Sequence, residues 1–149
     1  MAEIRIDNAR DPEQIRRMTA VAGENECYFC TDFTLHGSAP AVWECDNWFI
    51  KINDFPYTGS VHHYLIVSKN HITSVGQMNA AAQLELWVAV AWLENTLGTS
   101  GASIFVRTGN MAYNGATLDH LHFHFLVGVE KKEGETEWLT VTLGYKQRK

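Results

Sequence analysis

Three histidines at alternate positions, His120, His122 and His124, are separated by Leu121 and Phe123 and followed by Phe125, Leu126 and Val127. At strand spacing, alternate residues share a face. The three imidazoles then point one way, and Leu121, Phe123 and Phe125 point the other way, into a core. A solvated strand face is ordinarily filled with Lys, Glu, Thr or Ser. Imidazoles instead bring neutral lone pairs and exchangeable protons together near pH 7, as a nucleophile, a proton carrier or a metal ligand requires. Adjacent members of such a row lie about 6.6 Å apart and the outer two about 13 Å, whereas Zn–N bonds measure about 2.0–2.1 Å. Two neighbours can converge on one ion, but three cannot unless the strand bends. The row therefore divides, with one end binding metal and the remainder free for chemistry.

Cys27 and Cys30 form a Cys-x-x-Cys pair, and Cys45 stands alone. An odd count fits a disulfide framework poorly, and in a reducing compartment such a pair is metal-binding or redox-active. As a metal site it supplies two soft ligands at structural-zinc spacing and needs two more to close a tetrahedron. The pattern nominates His71, just past Ser68-Lys69-Asn70, and His120, at the start of the histidine row. A redox dithiol, or an exposed turn with incidental cysteines, is the competing reading. Cys45 alternates with apolar neighbours and reads as a buried small hydrophobe. His62 and His63 are adjacent, so at most one of them can line a site. His36, in a loop with Gly, Ser and Pro, reads as solvated.

The elements that must position these groups follow from caps and periodicity. Asp11-Pro12-Glu13 reads as an N-cap with proline at the first helical position, opening a short helix to about Ala22. Ala41 to Ile52 reads as two strands turning at Asp46-Asn47, and Val61 to Ser68 as a third. Asn79 caps a long helix that ends near Leu97 at Gly98, with Leu84, Val88, Ala91 and Trp92 as its buried stripe. Ser103 to Arg107 and His120 to Val129 read as further strands, and Trp138 to Tyr145 as a possible last one. Between them, Thr108 to Gly115 is a loop whose Gly and Asn residues suit positive φ and can point backbone N–H groups at an anion. Together these give an α+β fold: an antiparallel sheet of about five strands, a long helix packed on one face and a short N-terminal helix.

Composition bounds the function. The 149 residues form one domain, 1–149, with no repeat or Pro/Gly-rich linker. A net charge of −5 argues against nucleic acid or an anionic membrane as partner, since such binding needs clustered Lys and Arg. A small anionic ligand held by local dipoles is still allowed. The first 20 residues lack the apolar core of a signal peptide, and the apolar run Leu86 to Leu93 is too short to span a bilayer. The expected setting is cytoplasmic.

His120 to Leu126 resembles the signature of the histidine triad nucleotide hydrolases and transferases. Cys27-Tyr28-Phe29-Cys30 is similar to the zinc-binding start of many bacterial members. Asn53 to Tyr57 and His63 to His71 resemble the family's strand, turn and strand leading to a ligand histidine. The likeness runs over residues 27–129. It implies the histidine-triad fold, commonly assembled as a homodimer through the long helix and a sheet edge. The implied activity releases a nucleoside monophosphate, with AMP the family leaning, from a phosphoanhydride such as a dinucleoside polyphosphate or from a phosphoramidate. By the same resemblance His122 is the nucleophile that becomes nucleotidylated. His124 contacts phosphate and aids the leaving group. His120 joins Cys27, Cys30 and His71 on a structural zinc. Asn53 holds the ribose, and Phe29 packs on the base.

Two positions depart from the family pattern. Where many members carry Gly-Gln-Ser-Val, this chain has Gly115-Ala116-Thr117-Leu118, so Thr117 keeps a hydroxyl for phosphate and Ala116 offers no donor. Arg107, with Asn110 close by, stands about where an Asn commonly contacts phosphate. Two other classes compete with the hydrolase or transferase: a non-catalytic nucleotide- or partner-binding module of the same fold, and a metal-centred enzyme of the double-stranded β-helix type using His120 and His122 as ligands.

Overall fold

A computed structural model of the protein describes residues 3–24, 26–135 and 137–149. The order is α1 (Pro12–Gly23), β1 (Ala41–Glu44), β2 (Trp48–Ile52), β3 (His62–Ser68), α2 (Ala80–Leu97), β4 (Ser103–Val106), α3 (Met111–Asn114) and β5 (His122–Val127), with short 3-10 turns between them. The five strands form one antiparallel sheet in the order β1-β2-β3-β5-β4. Both long helices begin where the sequence places them. The Asp11 carboxylate accepts from the backbone N–H groups of Glu13 and Gln14, and the Asn79 side chain accepts from Ala82 N–H. Gly98, at φ 59°, ends α2 in the left-handed region that favours glycine.

Strand alternation separates two cores. Trp48, Ile50, Ile66, Phe123 and Phe125 face α2, which buries Ala82, Leu86, Ala89, Val90 and Leu93 against them. The Trp48 indole N–H donates to Ala82 O at 2.8 Å, satisfying its one polar atom inside this layer. On the other face Phe49, Leu65 and Val67 pack with Met18 and Val21 of α1 and with Tyr28 and Phe29 between the two cysteines.

The buried stripe of α2 is therefore not the one expected. Leu84 is 72% exposed and Val88 57%, Ala91 is also exposed, and Trp92 is half-buried against Trp43. The helix is apolar around most of its circumference, so periodicity alone cannot choose a face. The small residues Ala82 and Ala89 let the other side approach the sheet closely.

Trp138 to Tyr145 forms no strand. Trp138 is 84% exposed, and the segment touches the rest of the protein at Thr142, Gly144 and Tyr145, among others. His120 lies just before β5 rather than in it, and His36 is half-buried beside the Tyr28 ring rather than fully solvated. Cys45 is also half-buried, its thiol donating to Glu85 at 3.1 Å.

Candidate active site and metal centre

The register places the chemistry. Val67 pairs with His122, and Leu65 pairs with both Lys51 and His124, so these residues share the face opposite α2. His63, two residues before Leu65, joins the same face. The half-buried His122 ring directs Nδ1 at the His120 carbonyl oxygen, 2.6 Å away. That oxygen can only accept, so Nδ1 carries the proton and Nε2 keeps its lone pair. Burial pushes the ring's pKa down to about 4 against the upward pull of the carbonyl, leaving it neutral near pH 7. A neutral imidazole with a fixed tautomer can attack an electrophile without first losing a proton.

His63 and His124 are tied by the same logic. The Tyr57 backbone N–H donates to His63 Nδ1 at 3.1 Å, which leaves the proton on Nε2. His63 Nε2 then donates to His124 Nδ1 at 2.8 Å, which puts the proton of His124 on its own Nε2. The Asn53 amide nitrogen lies against the His63 ring at 3.1–3.3 Å, and Phe105 stacks on His124 with centroids 4.3 Å apart. His124 Nε2 is 3.3 Å from an Arg107 Nη. Arg107 thereby sets a charged donor against the edge of His124.

Burial, reinforced by the charges of Arg10, His122 and Arg107, lowers His63 to about 3; His124 and the Tyr57 ring also face it. Its folded pKa lies below its unfolded value near 6.5, so the unfolded chain binds the extra proton first. Stability from this group is whole above about pH 6.5 and is lost as pH falls toward 3, at on the order of 1.4 kcal/mol per pH unit. His63→Gln, which keeps an acceptor for Tyr57 and a donor for His124, is expected to flatten the acid limb of urea-denaturation midpoints between pH 6.5 and 4.5. Parallel limbs for variant and wild type would contradict this.

Cys27, Cys30, His71 and His120 form the second centre, with one ligand atom from each all within 4.8 Å of one another. His120 Nδ1 lies 3.3 Å from Cys27 Sγ, 3.5 Å from Cys30 Sγ and 3.2 Å from His71 Nδ1, and Cys30 Sγ lies 3.4 Å from His71 Nδ1. A tetrahedron with bonds of about 2.0–2.3 Å has edges of about 3.3–3.8 Å, so the four donors fit one metal ion. His120 Nε2 donates to the Ser68 carbonyl at 2.6 Å, which turns the Nδ1 lone pair toward the cluster. Desolvation and the neighbouring Cys27 sulfur push the Cys30 thiol up to about 12, a penalty on the thiolate that a divalent cation reverses. The sequence-nominated quartet is thus brought together.

A cleft opens beside His122 and His124. Asn53, Phe29, Thr117 and Arg107 line it, and the Phe29 ring stands 5.3 Å from that of His122. Asn110 does not reach the cleft; it is exposed and caps α3 through Ala112 N–H. Gly109 and Gly115 take positive φ as expected, at 78° and 72°, whereas Asn110 has φ −65°. The amides of Gly109, Ala112, Tyr113, Gly115 and Ala116 are spent on acceptors within the protein.

The cleft is also lined by Lys51, Tyr57 and Arg10, to which the sequence reading assigns no site role. Lys51 is 1% exposed, with Nζ donating to Ile52 O at 2.7 Å and to Asp54 at 3.1 Å. Burial lowers its pKa. Burial alone would raise Asp54, but hydrogen bonds from Ser38, Ala39 N–H and Lys51 outweigh it and hold the carboxyl low. A lysine inside an apolar strand, between Ile50 and Ile52, is the available signal.

Fold and site together define a histidine-cluster protein: a five-stranded antiparallel sheet that presents a neutral, tautomer-fixed imidazole beside a Cys2His2 quartet. The HIT domain model matches residues 35–131, well over half of the chain, and the protein belongs to that family. Among solved structures, a HIT family hydrolase from Clostridium thermocellum is 25% identical, with a TM-score of 0.58, over 74% of this chain and 96% of that one. A HIT family hydrolase from Legionella pneumophila Philadelphia 1 is 22% identical, with a TM-score of 0.58, over 73% and 98%. A histidine triad nucleotide-binding protein from Candida albicans is 20% identical, with a TM-score of 0.56, over 75% and 87%. The last two likenesses show the fold alone. Comparison with curated protein sequences gave no significant match. No described helix is long and apolar enough to cross a membrane.

Proposed function

We propose that the protein is a nucleotide hydrolase or transferase that releases a nucleoside monophosphate, AMP in the first instance, through a covalent nucleotidyl-His122. The observation that carries this reading is the His122 Nδ1 to His120 carbonyl hydrogen bond of 2.6 Å, which reserves Nε2 for attack. In the first step Nε2 forms a bond to the α-phosphorus, and the bond to the leaving group breaks with its electron pair. The imidazole becomes cationic, and Nδ1–H remains on the carbonyl that held it. In the second step the oxygen of water or phosphate attacks phosphorus, the P–N bond breaks with its electron pair returning to Nε2, an attacking water gives its proton to solvent, and neutral His122 returns. Splitting one displacement in two lowers each barrier.

In this reading Phe29 packs on the base, Asn53 holds the ribose, and Thr117, Arg107 and His124 meet phosphate charge. Cys27, Cys30, His71 and His120 hold a structural zinc, which ties residues 27–30 to both ends of the site. Residues 1–149 act as one domain, since Arg10 and Thr142 border the same cleft from beyond both ends of the family match. The resemblance also carries a homodimer, and α2 offers Leu84, Trp87 and Val88 exposed for it. A single-chain mass in sedimentation at micromolar concentration would count against that assembly.

The test is a product analysis on diadenosine polyphosphates, adenosine phosphoramidate and sugar nucleotides, each with and without inorganic phosphate. Release of nucleoside monophosphate is the expected result, and nucleoside diphosphate formed only with phosphate would identify a phosphorylase. Nucleotide binding with no product from any substrate would replace the enzyme with a binding module.

A further inference from the structure

The cleft carries more positive charge than one phosphate requires. Lys51, Arg107 and Arg10 all border it. Lys51 is matched by Asp54 at 3.1 Å. Among the described residues, neither Arg10 nor Arg107 has a carboxylate at ion-pair distance. Arg107 is half-buried: it donates to the Tyr57 hydroxyl and the Thr142 carbonyl, and its buried Nε has no partner. Neutral acceptors hold a guanidinium in place without cancelling its charge, and an uncompensated cation withdrawn from water is costly. It is the more unusual in a chain of net charge −5.

The two guanidiniums bracket one side chain. The Arg10 guanidinium lies 3.8 Å from the Tyr57 ring centroid, and Arg107 holds the hydroxyl of the same ring at 2.5 Å. The contacts run outward from the nucleophile in order. The His122 and His124 rings are 5.1 Å apart, His124 Nε2 is 3.3 Å from Arg107, and Tyr57 and Arg10 follow. Arg107 sets a charged donor directly against the edge of His124, and Arg10 adds a second cation beyond it.

We propose that Arg10 and Arg107 form a binding site for an anionic leaving group. It selects phosphoanhydrides whose leaving group carries further phosphates over phosphoramidates that release an uncharged amine. The proposal rests on the reading of His122 as nucleophile. As the P–N bond to Nε2 forms, the P–O bond to the leaving phosphate breaks and its oxygen takes the electron pair. The added charge then falls beside Arg107 and His124. A planar guanidinium suits this task because it donates to two phosphate oxygens at once.

The test compares kcat/KM on diadenosine tetraphosphate and on adenosine 5′-phosphoramidate, which share the adenylyl group, for wild type, Arg10→Gln and Arg107→Gln. Calorimetry with inorganic tripolyphosphate at low and high salt reads the anion site directly. The preference for the polyphosphate is expected to fall about tenfold or more in each variant, and tripolyphosphate affinity with it. Added salt is expected to weaken wild-type binding. Arg10 is exposed and outside both cores, so Arg10→Gln carries the test even if Arg107→Gln does not fold. A preference unchanged within about twofold in Arg10→Gln, with tripolyphosphate bound as in wild type, overturns the proposal. Should wild type turn over neither substrate, the nucleophile reading falls and tripolyphosphate decides alone. Binding lost in Arg10→Gln upholds the anion site, and no binding to wild type overturns it.

Discussion

Replacing His122 by alanine is expected to lower kcat on any accepted substrate by on the order of 10⁴-fold or more, because no other group can take the covalent step. His63 and His124 cannot substitute. The Nδ1 lone pair of His124 is engaged by His63, its Nε2 bears a proton, and both His63 ring nitrogens are hydrogen-bonded. His124→Ala should cost less, about 10²–10⁴-fold, the usual range for losing a proton donor to a leaving group. Acid-quench of wild type with radiolabelled substrate should trap label on the protein, and the His122 variant should trap none. The variant should keep its metal content, since His122 contributes no ligand atom to the quartet. Turnover within tenfold of wild type in a folded, metal-replete His122→Ala protein would end the nucleophile reading.

Much of this arrangement was legible in the sequence because its signals are local. Asp11, Asn79 and Gly98 cap the helices they announce, and strand alternation alone sends Leu121, Phe123 and Phe125 into the core facing α2. The metal quartet was legible because each ligand sits at an element boundary: Cys27 and Cys30 flank one turn, His71 follows β3, and His120 precedes β5. What stayed hidden depends on packing between distant segments. The face that α2 buries is not set by periodicity, because Leu84 and Val88 are as apolar as Leu86 and Val90, and only contact with the sheet distinguishes them. His63 could not be told from His62 until the register set it beside His124. Arg10 lies 47 residues before Tyr57 and carries no motif; the chain's return across the cleft makes it part of the site.

Cys30→Ser is expected to remove the metal and much of the stability together, and the physical link runs through Phe29. Between the two cysteines, Tyr28 and Phe29 are 2% and 7% exposed, packed with Phe49, Leu65 and Met18 in the core on the site face. Cys27 and Cys30 hold that turn against His71 and His120, so a metal there fastens the wall of the cleft to the segment that presents His122. Structural zinc contributes about 10–16 kcal/mol in peptides that have no other core. Here two cores exist, and a loss of several kcal/mol is the expected scale. Linkage supplies the sharper test. If zinc binds only the folded chain, the melting midpoint should rise with free zinc, by about 2.7 kcal/mol equivalent at 100 times Kd, and fall with chelator. Cys30→Ser should lose that dependence and most of its bound metal. KM should rise more than kcat falls, because the proposed role of Phe29 is to pack on the base, while His122 keeps its own carbonyl partner. A variant with unchanged melting, unchanged metal content and an unchanged response to chelator would show that the four donors converge without holding an ion that the fold uses.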